Sequence, residues 1–449
     1  MRVPLLLGSL FLFSGLAGAR DIYVSSSTGA TENSGAKDSP KKLLWQAMDE
    51  MQAGDVIRVA EGLQHGKQKS GVMPKQKVGK ITLEGGWKAD FSVRDPFRYL
   101  TIIVAGPDDQ GSTSEVFQWE DSSDKSADVT IDGFVIDRGQ GAYYFSDGEP
   151  GANKRVEGHS DNSAWGYRQM NRKKSGSDPS IELIGKGSFT IRNNIIIGSP
   201  WWGIYVKAGG GGTTTIENNL VFISQGRGIE AIAGGGWGDP TFVIRNNTVV
   251  FNHGMPGEGR ALSIDPRPGA GKYIIENNVL GFSDESGVSA KFGAKGDLLQ
   301  LNNNLFFFNR KGDFGSGGNG VANVKDFGDE VEFKNKGNTH EVPKFLGKSA
   351  KPWFDRYSIR EYNDMLAGGF NKWEELQAAR AVFELGAYQI PGYDKTFATY
   401  AELPDSRNNY DMSRYPQPFK KGDVMNWQEA VLPMIGADAP HGIVKFKAK

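Results

Sequence analysis

Five side chains between positions 205 and 291 carry reactive chemistry at related spacings: Tyr205, Lys207, Glu230, Asp265 and Lys291, with Glu182 just upstream. A lysine serves as a base when a second cation and partial desolvation crowd it. Lys207 and Lys291 each offer the other that second cation. Tyr205 is a proton donor. Glu230 and Asp265 as a carboxylate pair would suit hydrolysis, with their separation setting the stereochemistry. Together with Glu182 they also make a hard-oxygen set for Ca2+, and a metal-free site is the other expectation. Arg227, Arg260 and Arg267 present planar guanidinium forks suited to clamping a carboxylate. His253, in Asn252-His253-Gly254, is a candidate base near Asp265, although a lone loop histidine is more often structural. Any one of these residues is ordinary on a solvated surface. Their convergence is the informative part.

Aromatic residues surround the group. Trp201-Trp202 and Trp237 fall in loops, and one of the paired indoles is expected in the core, because tryptophan is usually well buried. A long insertion from Arg138 to Pro179 carries Trp165, Tyr167 and Arg168 among other aromatic and basic residues. Long insertions in compact domains are functional or disordered. Rings that stack on sugar faces, next to cations that meet carboxylates, suit an acidic polysaccharide.

The element that must position these residues is a repeated phrase. It reads Ile191-Arg192-Asn193-Asn194, Ile216-Glu217-Asn218-Asn219, Ile244-Arg245-Asn246-Asn247, Ile275-Glu276-Asn277-Asn278 and Leu301-Asn302-Asn303-Asn304, at intervals of 25, 28, 31 and 26 residues. Such a period marks stacked supersecondary units. An Asn pair between short β-branched runs is a turn signal, since Asn tolerates the left-handed conformation. The pattern predicts an all-β parallel solenoid with Asn194, Asn219, Asn247, Asn278 and Asn304 stacked at one corner. Aligned on that corner, strands fall at 181–184, 203–207, 228–232, 261–265 and 287–291. Side chains alternate along a strand, so Glu182, Tyr205, Glu230, Ser263 and Ser289 form one outward column. Ile184, Lys207, Ile232, Asp265 and Lys291 form the next.

Flanking segments complete the organisation. Residues 1–19 read as a signal peptide: Arg2, an apolar run from Leu5 to Phe13, then Ala17-Gly18-Ala19. The run is too short to span a bilayer, so the mature chain is expected in the periplasm or outside the cell with no membrane attachment. Residues 20–345 form the solenoid domain. An amphipathic helix starting at Ser39-Pro40, with Leu43, Leu44, Ala47, Met48 and Met51 on one side, caps its open end. Residues 346–449 read as a mostly irregular tail, with a short helix at 372–380, that packs along the solenoid or closes it. The chain has no Cys, hence no disulfide or thiolate metal site. A net charge of −1 argues against general nucleic-acid binding. A monomer is expected.

The N-terminal helix, Gly54-Asp55, the short strands, the Asn phrase and Gly85-Gly86-Trp87 together resemble right-handed parallel β-helix proteins of the pectate-lyase-like class. The resemblance covers roughly residues 21–345. It implies three strands per coil, chemistry on the first-strand face, and a secreted lyase that cleaves an acidic, uronic-acid-containing polysaccharide or bacterial exopolysaccharide by β-elimination. The polygalacturonase acidic cluster is absent. Ser263-Ile264-Asp265-Pro266-Arg267 resembles the Asp-Pro-His phrase of mannuronan C5-epimerases, with Arg267 where their His stands. A glycoside hydrolase, a C5-epimerase, or a non-catalytic glycan-binding adhesion solenoid are the alternatives.

Overall fold

The computed structural model describes residues 18–65, 73–76, 79–104, 116–123, 127–137, 179–199, 201–224, 226–252, 259–281, 285–290, 296–307, 312–316, 319–322, 333–341, 343–346 and 431–447, with single residues at 283 and 309. The chain winds as a parallel β-helix with three faces. The first face stacks Phe117–Asp121, the first half of Ile181–Arg192, Ile204–Gly209, Ile229–Ala233, Leu262–Ile264, Val288–Ala290 and Phe314–Ser316 in parallel register. The second face runs from Asp21–Val24 through Val56–Ala60 to Phe333–Lys336. The third runs from Gly62–His65 to Thr339–His340. Among the described residues one strand-to-strand pairing is antiparallel, where Asn319–Ala322 folds back on Phe314–Ser316; isolated antiparallel bridges join Ala36 to Ser39 and Trp87 to Arg94.

Strand alternation drives the winding. Ile181, Leu183, Phe189 and Ile191 of one long strand all point inward and are fully buried, while the alternate residues from Glu182 to Thr190 are half-exposed. Ile204, Val206, Ile229, Ala231, Leu262, Ile264, Val288 and Ala290 continue the same interior columns. Each coil covers the next, so no single coil has a core of its own.

The asparagine phrase sits where its spacing places it. Asn193, Asn218, Asn246, Asn277 and Asn303 have φ between 50° and 57°, the left-handed region that asparagine tolerates. Gly133 and Gly337 take that position in flanking coils, also with positive φ. The second Asn of each pair points inward and stacks. Asn194 Nδ2 donates to Asn219 Oδ1 at 3.0 Å, Asn219 to Asn247 at 3.0 Å, Asn247 to Asn278 at 3.0 Å and Asn278 to Asn304 at 2.9 Å. Each Oδ1 also accepts the backbone N–H of the preceding Asn, as Asn247 Oδ1 does from Asn219 N at 3.0 Å. Asn338 extends the ladder by one rung, accepting from Asn304 at 3.0 Å.

Two further columns complete the design. At the corner between the third and first faces, Ser199, Ser224, Asn252, Ser283 and Asn309 align coil upon coil and are buried. On the second face the residue before the Asn pair forms an outward column. It reads Arg58, Glu84, Asp132, Arg192, Glu217, Arg245, Glu276 in successive coils. Arg192 Nε lies 2.7 Å from Asp132, and Arg245 Nη2 lies 2.7 Å from Glu217.

The N-terminal helix is shorter than the Ser39-Pro40 start predicts. It spans Leu44–Glu50, and Leu44, Ala47, Met48 and Met51 cover the first coil. Pro40 is not its first residue because Lys41 is committed elsewhere: its N–H donates to Tyr23 O and its carbonyl accepts from Ser25 N, both at 2.9 Å. Helix geometry begins only once that pairing ends. Gln46 and Gln64 then satisfy first-turn amides that have no helical partner, with Leu43 N donating to Gln46 Oε1 at 3.0 Å and Leu44 N to Gln64 Oε1 at 2.9 Å. The helix expected at 372–380 and nearly all of the Arg138 to Pro179 insertion lie outside the described residues.

Candidate functional site

The first-face column is in the expected register. Gln118, Glu182, Tyr205, Glu230, Ser263 and Ser289 occupy equivalent positions in successive coils, about 4.8 Å apart. Lys207 pairs with Ile184 and Ile232 in the neighbouring column, and Asp265 follows Ile264 at the end of its strand.

Tyr205 is the hub. Its ring packs on Trp202 with centroids 4.7 Å apart, and Trp202 packs on Trp201 at 5.6 Å. Both indoles are half-buried on the outside, so neither joins the core as the sequence predicts. The reason is local: the interior position at this corner belongs to Gly203, where any Cβ would strike Val221 and Gly228. Arg227 lies over the Trp202 ring at 5.5 Å and pairs with Glu230. Burial, then the charges of Glu230 and Glu182, push the Tyr205 phenol up to about 12, against a smaller opposing effect of Arg227. The side chain therefore stays protonated through the neutral range.

Two expectations of open charge are corrected. Glu230 is 2 % exposed and Asp265 6 % exposed. Each carboxylate is withdrawn by an arginine from its own coil. Glu230 meets Arg227 three residues earlier, and Asp265 has Arg267 Nε within 3.0 Å. Glu182 accepts from Gln118 Nε2 at 2.7 Å. The expected Ca2+ set therefore does not assemble: Glu182, Glu230 and Asp265 face separate partners, and no metal-holding group of His and acidic residues occurs among the described residues.

Lys207 is not a free surface cation. Its Nζ lies 5.4 Å from the ring centroid of Trp237, whose face attracts the ammonium. Two glycines make room for that indole. A Cβ on Gly234 would lie 2.0 Å from Trp237 Cε3, and one on Gly209 would lie 2.3 Å from Trp237 Cβ. Sequence reasoning singles out Trp237 but gives no reason to join it to Lys207. The available signal is a pair of glycines at matching places: Gly209 ends one first-face strand, and Gly234 directly follows the next.

Other groups missed from the sequence lie alongside. Ser263 Oγ, between Glu230 and Ser289, is 1 % exposed and has no hydrogen-bond partner among the described residues. Tyr273 rises from the second face beneath Asp265 and donates to Ala231 O at 3.1 Å, and burial holds its phenol far above the usual range. Arg260 is half-buried, and its carbonyl accepts from Gly228 N at 2.9 Å. His253, Lys291, Trp165, Tyr167 and Arg168 lie outside the described residues.

Geometry thus brings Tyr205, Trp202, Arg227 and Glu230 into one contact cluster, sets Lys207 and Trp237 beside it, and holds Asp265 with Arg267 further along the helix axis. The fold defines a parallel β-helix protein with an aromatic, ion-paired patch on its first face. No protein-family model matches the chain, and no curated protein is significantly similar to it. Among solved structures it is similar to pectate lyase Pel9A, at 12 % identity and a TM-score of 0.36, over 73 % of this chain and 78 % of that one. It is also similar to XylC in complex with xylose, at 11 % identity, a TM-score of 0.19, and 72 % and 87 % coverage. The periplasmic alginate epimerase AlgG matches at 9 % identity, a TM-score of 0.21, and 64 % and 77 % coverage. Likenesses of this extent assign no activity.

Proposed function

We propose that the first face is the catalytic surface of a secreted lyase that cleaves an acidic, uronic-acid-containing polysaccharide by β-elimination. The observation that carries this reading is the pairing of a tyrosine held protonated with a lysine two residues along the same strand. Elimination removes the proton beside the substrate carboxylate, forms a carbon–carbon double bond and breaks the bond to the leaving sugar oxygen. In this reading Lys207 takes the proton, Tyr205 returns one to the leaving oxygen, and Arg267, half-exposed at the strand end, meets the carboxylate. Glu230 and Arg227 hold Tyr205 and Trp202 in place. Asp265 orients Arg267. Lys291, Arg260, His253 and the aromatic-basic insertion with Trp165, Tyr167 and Arg168 complete the surface in this reading. No step is assigned to a metal.

The test is incubation of the purified protein with a panel of acidic exopolysaccharides, read by ultraviolet absorbance of the unsaturated product. Lys207→Ala and Tyr205→Phe should each lower turnover by orders of magnitude while polymer binding persists. New reducing ends without unsaturated product would replace the lyase with a hydrolase. Solvent-proton exchange into intact polymer would indicate an epimerase. Binding without any product would leave an adhesion solenoid.

A further inference from the structure

Residues 431–447 lie against the asparagine corner, far in sequence from the coils they touch. They cross it lengthwise. Asp438 accepts the backbone N–H of Phe345 at 3.3 Å, near the last described coil. Asn246 Nδ2 donates to Pro440 O at 2.8 Å, and Gly442 N donates to Asn277 O at 2.7 Å. Ile443 N donates to Thr248 Oγ1 at 3.0 Å. Asn218 then bonds Val444 twice, donating from Nδ2 to its carbonyl at 3.2 Å and accepting its N–H at 2.6 Å. Phe446 ends beneath the Arg94 guanidinium, 5.3 Å from it, and Arg94 is itself paired with Asp132 at 2.6 Å.

Three features set this contact apart from chance packing. Two of the left-handed asparagines, Asn218 and Asn246, offer their side-chain amides and a third, Asn277, its backbone carbonyl, and all three bond the backbone of the segment rather than its side chains. Gly442 has φ of 67°, and a Cβ there would lie 2.5 Å from Thr248 Oγ1 and 2.8 Å from Val279 Cγ2. Ile443 is 1 % exposed and Val431 is buried, so the segment is anchored by apolar groups between its hydrogen bonds.

We propose that residues 431–447 are a clasp, docked through its backbone on the outer asparagine column, that makes the terminal coils open together with the centre of the solenoid. In a solenoid each coil contacts only its neighbours, so end coils otherwise fray independently. A segment laid across Phe345, Asn277, Asn246, Asn218 and Arg94 joins end coils that do not touch. The inference is independent of the reaction assigned to the first face.

Native-state hydrogen exchange on the full chain tests it. The amides of Gly442, Ile443 and Val444 should exchange at least about 100-fold slower than in a free peptide of residues 431–449. In Gly442→Val those three amides should lose protection, and the Thr339–His340 strand should then exchange faster than Thr248–Asn252, whereas in the parent both open together. A milder variant, Asn218→Gly with Asn246→Gly, keeps the left-handed backbone while removing the amides and should move in the same direction without adding bulk. Free-peptide exchange at 442–444 in the parent overturns the docking. Unchanged order of opening in both variants overturns the coupling.

Discussion

Asn247→Ala removes the middle rung of the inner ladder, and its cost can be worked from the bonds it breaks. Asn247 Nδ2 donates to Asn278 Oδ1 at 3.0 Å and to Ile216 O at 2.9 Å. Its Oδ1 accepts from Asn219 N at 3.0 Å and from Asn219 Nδ2 at 3.0 Å. Not all four losses weigh equally. Asn219 Nδ2 keeps Ile191 O at 2.9 Å, and Asn278 Oδ1 keeps the Asn247 N–H at 2.9 Å. The Asn219 backbone N–H and the Ile216 carbonyl lose a partner where Asn219 and Asn247 are both fully buried. An orphaned buried group costs about 1–3 kcal/mol, so the expected loss for the two is about 2–6 kcal/mol. Asn247→Asp keeps the acceptor for Asn219 but turns an oxygen toward Ile216 O and Asn278 Oδ1. It should be at least as costly near neutral pH and partly recover in acid, where the carboxyl group becomes a donor. Urea unfolding of the full chain measures the loss, and exchange of the Asn219 amide locates it. A cost under about 1 kcal/mol, with Asn219 still protected, would refute the view that the ladder's inward amides hold the corner together.

Three other outcomes follow from the same geometry. Tyr205 should ionise only near pH 12, seen as a late tyrosinate absorbance step that disappears in Tyr205→Phe. Because the folded value is raised, its contribution to stability is complete below the unfolded value near 10 and is lost as pH rises toward about 12. A step near 10 would contradict the burial described for this ring. Gly234→Ala puts a methyl group 2.0 Å from Trp237 Cε3; it should displace the indole, change tryptophan fluorescence, and lower turnover nearly as far as Trp237→Ala while leaving the unfolding midpoint within a few degrees. Lys207→Ala and Tyr205→Phe should likewise fold normally, since both side chains lie outside the solenoid, and circular dichroism identical to the parent is the expected control.

The repeated phrase makes the fold legible because it combines two independent physical demands. The first Asn must accept positive φ, and the second must satisfy four hydrogen-bonding partners in a dry corner. Few other residues do either, so identity is retained from Asn193 to Asn304. Asn338 escapes a reading by phrase because a glycine, Gly337, supplies the left-handed turn and breaks the pattern. The Ser199–Ser224–Asn252–Ser283–Asn309 column escapes because small polar residues substitute there freely, leaving no repeated letters. The outward columns of the first face are readable from alternation alone, which is why Tyr205 and Glu230 fall as neighbours. Their environments are not readable. The Arg227–Glu230 and Asp265–Arg267 pairs, and the indole beneath Lys207, depend on loop paths that no periodicity encodes. The helix start is misplaced for the same reason, since Pro40 is a helix-start signal only when Lys41 is not bonded to the first strand.

The second-face column from Arg192 to Glu276 gives the stack a parity. Its signs run positive, negative, positive, negative through Arg192, Glu217, Arg245 and Glu276. Excising a single repeat, residues 217–244, would leave every hydrophobic column and the inner ladder intact but seat Arg245 directly beside Arg192. Excising two adjoining repeats would seat Glu276 there instead and restore the alternation. Hydrophobic stacking carries no sign and does not register this parity. Charge does. In this stretch losing or gaining turns in pairs therefore avoids the like-charge contact that a single turn would create, a difference of about 1 kcal/mol or less for such surface pairs, and a nascent coil that docked one turn out of place would meet its own sign.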